Sequence, residues 1–325
     1  MMPAHRAAIA AALIALSCLF AAAQPSAEQQ ELLAWVRTLQ LQGRDAQALA
    51  LCDMILAEDP GNADALAQRG VLRLGEADYE SANQDFAAAL AARPDFALAL
   101  LGRANAQQSL GNADGAHSDA AQAAAICSRA IEADNTDAMV YYVRGLARLL
   151  LQQEGEALQD FVTAGDLDDT LVEAHLERSN TYRQRGRLDQ ALESLTHAVQ
   201  VRPDYAVAYL ARARVRFEAR SFLAALDDCD RALQINPDFA RAWHNRGLIN
   251  LQIGDVPAAV DDLGRAIEAD PEYASAHFYR GEAYYRAGSI AAARAAWESA
   301  RDVAPEEWAG RTAAEMLQKL DDGEL

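Results

Sequence analysis

Residues 206–239 read AVAYLARARVRFEARSFLAALDDCDRALQINPDF, and residues 240–273 read ARAWHNRGLINLQIGDVPAAVDDLGRAIEADPEY. The two lines superimpose without a gap. Arg212 stands over Arg246, Ala225 over Ala259, Asp228 over Asp262, Ala232 over Ala266 and Pro237 over Pro271. Outward from this pair the same alanine returns as Ala48, Ala82, Ala116, Ala157, Ala191, Ala225, Ala259 and Ala293, in steps of 34 residues with one step of 41. A fixed period of this length is the mark of stacked helical units in which each unit packs mainly on its neighbours. Function is then expected on an extended surface, and a catalytic cleft is not.

The register divides the chain into units 29–62, 63–96, 97–137, 138–171, 172–205, 206–239, 240–273 and 274–307. Each recurring residue has a physical job. Position 8 is small in seven units (Gly70, Ala104, Gly145, Ser179, Ala213, Gly247, Gly281) and position 20 is alanine in all eight, so two antiparallel helices can approach closely. Proline near position 32 (Pro60, Pro94, Pro203, Pro237, Pro271, Pro305) ends the second helix, because it has no N–H for the ladder. Between the helices lies a short polar turn, as in Gly254-Asp255 and Gly288-Ser289, where glycine suits a helix end and Asp255 or Ser289 suits the next N-cap. Pro257 falls in the first helical turn, where its missing N–H costs little.

This pattern resembles the tetratricopeptide repeat family, over residues 29–307. The resemblance implies an all-α fold: helix-turn-helix units stacked into a right-handed superhelical solenoid with a concave inner face. It also implies protein–protein interaction, with catalysis rare.

Two departures stand out. The unit 97–137 carries seven extra residues within Ala116–Ala130, close to two helical turns, so its second helix is expected to run on by about 10.5 Å with its buried face preserved. Asn135 and Asp169 replace the usual proline on either side of the next unit. After Pro305, residues 306–320 read as one more helix, with Ala309, Ala313, Met316, Leu317 and Leu320 on one face, as a repeat array needs at its end. Trp35 sits where the other units carry arginine.

The chain has 48 Asp and Glu against 29 Lys and Arg, a formal charge of −19, and Lys319 is its sole lysine. Such a chain repels phosphate backbones, so nucleic acid is not an expected partner. His5 and Arg6, the apolar run 7–23 and Ala21-Ala22-Ala23 before Gln24 read as a signal peptide over 1–23, placing the protein in the periplasm or outside the cell. Retention as an anchor and lipidation at Cys18 are the alternatives, and only these would bring a membrane into play. Cleavage would leave Cys52, Cys127 and Cys229, an odd number that favours small core residues over a disulfide framework.

Position 7 is arginine in seven consecutive units (Arg69, Arg103, Arg144, Arg178, Arg212, Arg246, Arg280), and position 23 is aspartate in five (Asp85, Asp119, Asp160, Asp228, Asp262). A set of ion pairs between paired helices is expected. The family's concave face comes from positions 2, 5, 6, 9, 12 and 13 of each first helix. Carried over, these positions give Tyr142, Leu176, Asn180, Leu210, Arg214, Arg241, Asn245 and Tyr279 as candidate partner contacts. The lysine of the family's carboxylate clamp has no counterpart here, unless His244 is protonated, and Asn180, Arg241 and Asn245 echo that clamp only in part. No nucleophile–base pair, phosphate loop or metal-ligand spacing is found, and no cofactor is expected. The reading is a non-catalytic scaffold that binds a protein or peptide partner in its groove. The alternative is a membrane-tethered assembly factor for an envelope complex.

Overall fold

The computed structural model describes residues 27–41 and 45–324, and among them every regular element is a helix. In chain order they are α1 (Ala27–Leu41), α2 (Asp45–Glu58), α3 (Ala63–Gly75), α4 (Tyr79–Ala92), α5 (Ala97–Ser109), α6 (Ala113–Ala133), α7 (Ala138–Leu150), α8 (Glu154–Leu167) and α9 (Val172–Gln184). They continue as α10 (Leu188–Val201), α11 (Ala206–Glu218), α12 (Phe222–Ile235), α13 (Ala240–Ile253), α14 (Val256–Ala269), α15 (Ala274–Arg286), α16 (Ile290–Val303) and α17 (Trp308–Asp321). Packing separates one unit ending at Thr181 from a second beginning at Tyr182. The expected signal segment 1–23, with Cys18, lies outside the described residues.

Within each repeat, the two helices pair antiparallel across a turn of two or three residues. The second helix is 14 residues long in the pairs α3/α4, α7/α8, α11/α12, α13/α14 and α15/α16. In α5/α6 it is 21 residues, so the seven extra residues form two added turns of one continuous helix, as expected.

The turns explain themselves residue by residue. Gly111, Gly254 and Gly288 adopt φ of +82°, +89° and +74° at the end of a first helix, a backbone region that costs glycine nothing. Ala77, Gln152 and Arg220 take the same turn at φ of +60°, +62° and +58° with a Cβ present. Side chains of Asn62, Asp78, Asn112 and Asp255 accept from the backbone N–H three residues on and so cap the helix that follows. Ser289 holds the corresponding place without a side-chain cap bond.

The recurrent small residues pack against one large partner. A Cβ on Gly145 would meet the Phe161 ring at 2.5 Å, and one on Gly281 would meet the Trp297 indole at 2.5 Å. Ala82, Ala157, Ala225, Ala259 and Ala293 are fully buried at the same crossing. In the first unit a continuous core runs from Leu33 through Phe86, Leu100, Leu101, Tyr142, Leu146 and Phe161 to Ala174. The second unit has smaller clusters around Cys229 and Ile249, around Leu263, and around Trp297. In the last of these, α17 lays Ala309, Ala313 and Leu317 over the final pair. Cys52, Cys127 and Cys229 are buried free thiols, and burial pushes each thiol up to about 12, so they act as small core residues. No helix among the described residues is long and apolar enough to cross a membrane.

Candidate functional site

The arginines at position 7 meet the aspartates 16 residues on. Arg69 grips Asp85, Arg103 grips Asp119, Arg144 grips Asp160, Arg212 grips Asp228 and Arg246 grips Asp262. In every pair Nη2 donates to one carboxylate oxygen at 2.6–2.7 Å. Nε donates to a carboxylate oxygen of the same residue at 2.7–3.1 Å. The fork matches the planar carboxylate, which a lysine could not do. Hydrogen bonds donated to Asp119 and Asp160, ahead of the opposing effect of burial, hold the Arg103 and Arg144 guanidiniums above their ordinary value.

A second donor on the same aspartates is absent from the sequence reading. Arg73, Arg148 and Arg216, four residues after the first arginine, reach Asp85, Asp160 and Asp228 at 2.6–2.8 Å. Asn250 does the same for Asp262 at 2.8 Å. The i,i+4 recurrence of arginine was the visible signal, since residues so spaced share one helix face. The ladder also steps back to the preceding pair, from Arg69 to Asp53 at 2.7 Å and from Arg246 to Asp230 at 2.6 Å. These groups are therefore committed to joining helices and are not free to bind ligands.

The candidate contact residues separate by exposure. In the first unit Tyr142 is 1% exposed, with its ring centroid 5.9 Å from that of Phe161, so it belongs to the core and offers no surface to a partner. Its stripe neighbours Val143, Leu146 and Leu149 are buried as well. The physical cause is that large apolar residues recur on the same stripe of α5 (Leu98 and Leu101), and these stripes close on one another in one cluster. Leu176 and Asn180 are half-buried on α9. Asn180 bonds the carboxyl of Glu177, which burial pushes up to about 8 against the pull of that bond. In the second unit Leu210 is buried at 7% exposure, which again removes it as a contact, while Arg214 and Arg241 are exposed and Asn245 and Tyr279 are half-buried.

The exposed members come together on α11 and α13. Ala213, Phe217, Leu248 and Ile249 wall a small cavity of about 140 Å³, and Arg214, Glu218 and Asn245 supply its polar side. That volume is below the several hundred Å³ of drug-sized ligand sites and suits a single apolar side chain. Arg183 donates to Glu218 Oε1 at 2.8 Å beside it. Arg214 and Arg241 form no hydrogen bond or ion pair among the described residues. Partial desolvation lowers the Arg214 guanidinium from its ordinary value, and the charges of Arg183 and Arg241 lower it further against the opposing charge of Glu218, although Arg214 keeps an open face to solvent.

One end of this face is aromatic. The His244 ring lies 4.9 Å from Tyr273 and 5.6 Å from Tyr279, and Tyr279 and Phe278 meet the indole of Trp308 at 6.0 and 5.2 Å. Burial pushes His244 down to about 4, against a contact of its Nδ1 with Asn245 Oδ1 at 3.3 Å. It is neutral near pH 7 and does not replace the missing clamp lysine. Trp308, 52% exposed at the start of α17, was not singled out by the sequence because it lies off that helix's apolar face.

Paired helices and alanine crossings define an α-helical repeat protein. Two tetratricopeptide repeat models match, over residues 176–240 and 217–280. Residues 176–280 are thus tetratricopeptide repeats, and proteins built of such repeats act as protein-interaction scaffolds and are generally non-catalytic. It is 29% identical over 171 residues to DnaJ homolog subfamily C member 7 of Homo sapiens, covering 50% of this chain and 35% of that protein. To sperm-associated antigen 1 of Mus musculus it is 33% identical over 105 residues, covering 32% and 12%. It thus spans about a third or less of the length of these curated relatives. Among solved structures, yeast Tom70 matches with a TM-score of 0.67 at 16% identity, covering 97% of this chain and 70% of that one. The APC/C hetero-tetramer Cut9-Hcn1 matches with a TM-score of 0.63 at 17% identity, covering 89% and 55%. These likenesses concern the fold.

Proposed function

We propose that the protein is a non-catalytic scaffold that binds an acidic protein segment along α11 and α13. The segment lays its carboxylates on Arg214 and Arg241 and one apolar side chain in the cavity beside Phe217. The observation that carries this reading is the pair of exposed, unpartnered arginines. In a chain of charge −19, where acids outnumber bases 48 to 29, fourteen other arginines among the described residues are held in ion pairs. Two guanidiniums left open beside Arg183 repel one another, and an acidic guest relieves that repulsion. Asn245 and Tyr279 frame the same face. The face is built on packed helices, so the scaffold loses little freedom on binding. Nucleic acid does not suit an acidic scaffold.

The site of action in this proposal is outside the cytoplasm, in the periplasm or secreted, from the signal-like residues 1–23. A membrane-tethered assembly factor is the second reading, favoured by Leu16-Ser17-Cys18 within the apolar run.

In-cell crosslinking of wild type beside Arg214→Glu/Arg241→Glu, followed by mass identification, tests both parts. Partners lost only in the variant are expected, and identical partners from both would refute the proposed face. The recovered chain is weighed in the same experiment. Gln24 as its first residue supports export with cleavage, acylated Cys18 supports tethering, and a retained Met1 on cytoplasmic protein contradicts both.

A further inference from the structure

His244, on α13, is a buried ring whose two nitrogens stand in unlike places. Nδ1 lies 3.3 Å from Asn245 Oδ1 and 3.4 Å from the Tyr273 hydroxyl. Nε2 is closed to solvent and has no hydrogen-bond partner among the described residues. The rings of Tyr273 and Tyr279 pack against the imidazole at 4.9 and 5.6 Å. A neutral imidazole carries one proton, on one nitrogen or the other. On Nε2 that proton would be a buried donor with nothing to receive it, which is costly. On Nδ1 it meets an amide oxygen. An imidazolium would strand the same Nε2–H and add a buried charge, and burial already pushes the ring down to about 4. The proton therefore sits on Nδ1, and the hydrogen bond it donates fixes which end of the Asn245 amide faces the ring. With Oδ1 so engaged, Asn245 Nδ2 makes no hydrogen bond among the described residues. It is the end of the amide left for the cavity beside Phe217, which Asn245 helps to line.

We propose that His244 is a positioning residue for the guest: through Nδ1–H it holds Asn245 Oδ1 and so turns the amide NH2 of Asn245 outward as a fixed donor. The inference rests on the proposed face along α11 and α13. Three side chains of that face, Arg214, Arg241 and Asn245, then offer donors, and its carboxylate, Glu218, already accepts from Arg183. The guest must bring oxygen acceptors to meet them. Its carboxylates serve the guanidiniums, and a main-chain carbonyl beside its apolar residue serves Asn245. Selectivity follows from the orientation, because an amide turned with its oxygen outward would set acceptor against acceptor. His244 itself touches no guest and acts only through Asn245.

Two measurements on the full-length chain test this role. In long-range proton–nitrogen NMR spectra of histidine-labelled protein at neutral pH, the His244 signals are those absent from His244→Phe. Nδ1 is expected to be the protonated nitrogen and Nε2 the bare one. A proton on Nε2, or on both nitrogens, overturns the proposal without reference to any guest. Calorimetric binding of the capped peptide acetyl-Glu-Leu-Asp-amide is then compared across wild type, His244→Phe, Asn245→Ala and the double variant. His244→Phe keeps a ring against Tyr273 and Tyr279 but releases the amide. It should weaken binding by about two- to tenfold, the worth of one neutral hydrogen bond. In the Asn245→Ala background the same change should cost nothing further, since the two residues act as one unit. His244→Asn, whose amide nitrogen takes the place of Nδ1, should restore much of the loss. An equal loss from His244→Phe with and without Asn245, or no loss at all, overturns the proposal. Wild type that fails to bind the peptide refutes the proposed face and this role with it. Binding abolished by Arg214→Glu/Arg241→Glu but unmoved by His244→Phe upholds the face and removes His244 from it.

Discussion

Asp160 shows what a single side chain does in this fold. Only 2% exposed, it accepts from Arg144 on both oxygens and from Arg148 on Oδ2, and so ties α8 to two turns of α7. Replacing a whole buried pair with apolar groups can be neutral, but removing one partner leaves charge stranded. Asp160→Ala is therefore expected to destabilise the chain by about 3–5 kcal/mol in urea unfolding, since two guanidiniums lose their acceptor together. A loss under about 1 kcal/mol would mean that the arginines turn out to water without cost. The Arg–Asp pairing was legible at this scale because both residue types recur at one period. The exposure of Tyr142 and Leu210 was not. Position on a helix face fixes the direction of a side chain, but burial depends on what stands opposite in space. Leu98 and Leu101, one pair earlier, share the core that closes over Tyr142. The protonation of His244 was hidden for the same reason, because the rings of Tyr273 and Tyr279 reach it from another helix.

At the scale of elements, the helices and turns follow local chemistry closely enough to be read in advance. Seven inserted residues add whole turns to α6 without rotating its buried face, so the sequence period survives the insertion. The sequence marked the turn by its glycines, and the backbone reveals that the same left-handed conformation recurs where no glycine marks it. Gln152, at φ +62° between α7 and α8, bears the strain of a Cβ there. Gln152→Gly is expected to raise stability by about 0.5–1 kcal/mol, the relief of strain exceeding the added freedom of the unfolded chain. A matched substitution at Gln153, the next residue, should lower stability instead. Urea midpoints of the two variants check the pair, and a loss from Gln152→Gly would show that the turn is unstrained. Ser289 and Asp255 both stand at the N-cap positions read for them, but only one caps through its side chain. The Ser289 hydroxyl makes no side-chain cap bond, whereas the Asp255 carboxylate reaches Ala258 N–H at 3.2 Å.

For the whole molecule, repetition makes each pair depend on its neighbours, and the interest lies where repetition breaks. Arg214 and Arg241 are open where position 7 is paired, Trp308 interrupts the alternation at the last pair, and Arg280 stands where Ala296 replaces the ladder's aspartate. Sequence comparison among the repeats could find Ala296 as an exception. The eight candidate contacts were equivalent in the repeat pattern, and only packing separated buried Tyr142 and Leu210 from exposed Arg214 and Arg241. The central claim is that those two arginines select an acidic guest with one apolar side chain. Its most direct test is selection from an unbiased displayed peptide library on the full-length chain, with Arg214→Ala/Arg241→Ala in parallel. Enrichment of peptides with Asp or Glu flanking one large apolar residue, lost in the variant and weakened by salt, is the predicted result. Enrichment of neutral or basic peptides, or of the same acidic peptides on both proteins, would contradict it.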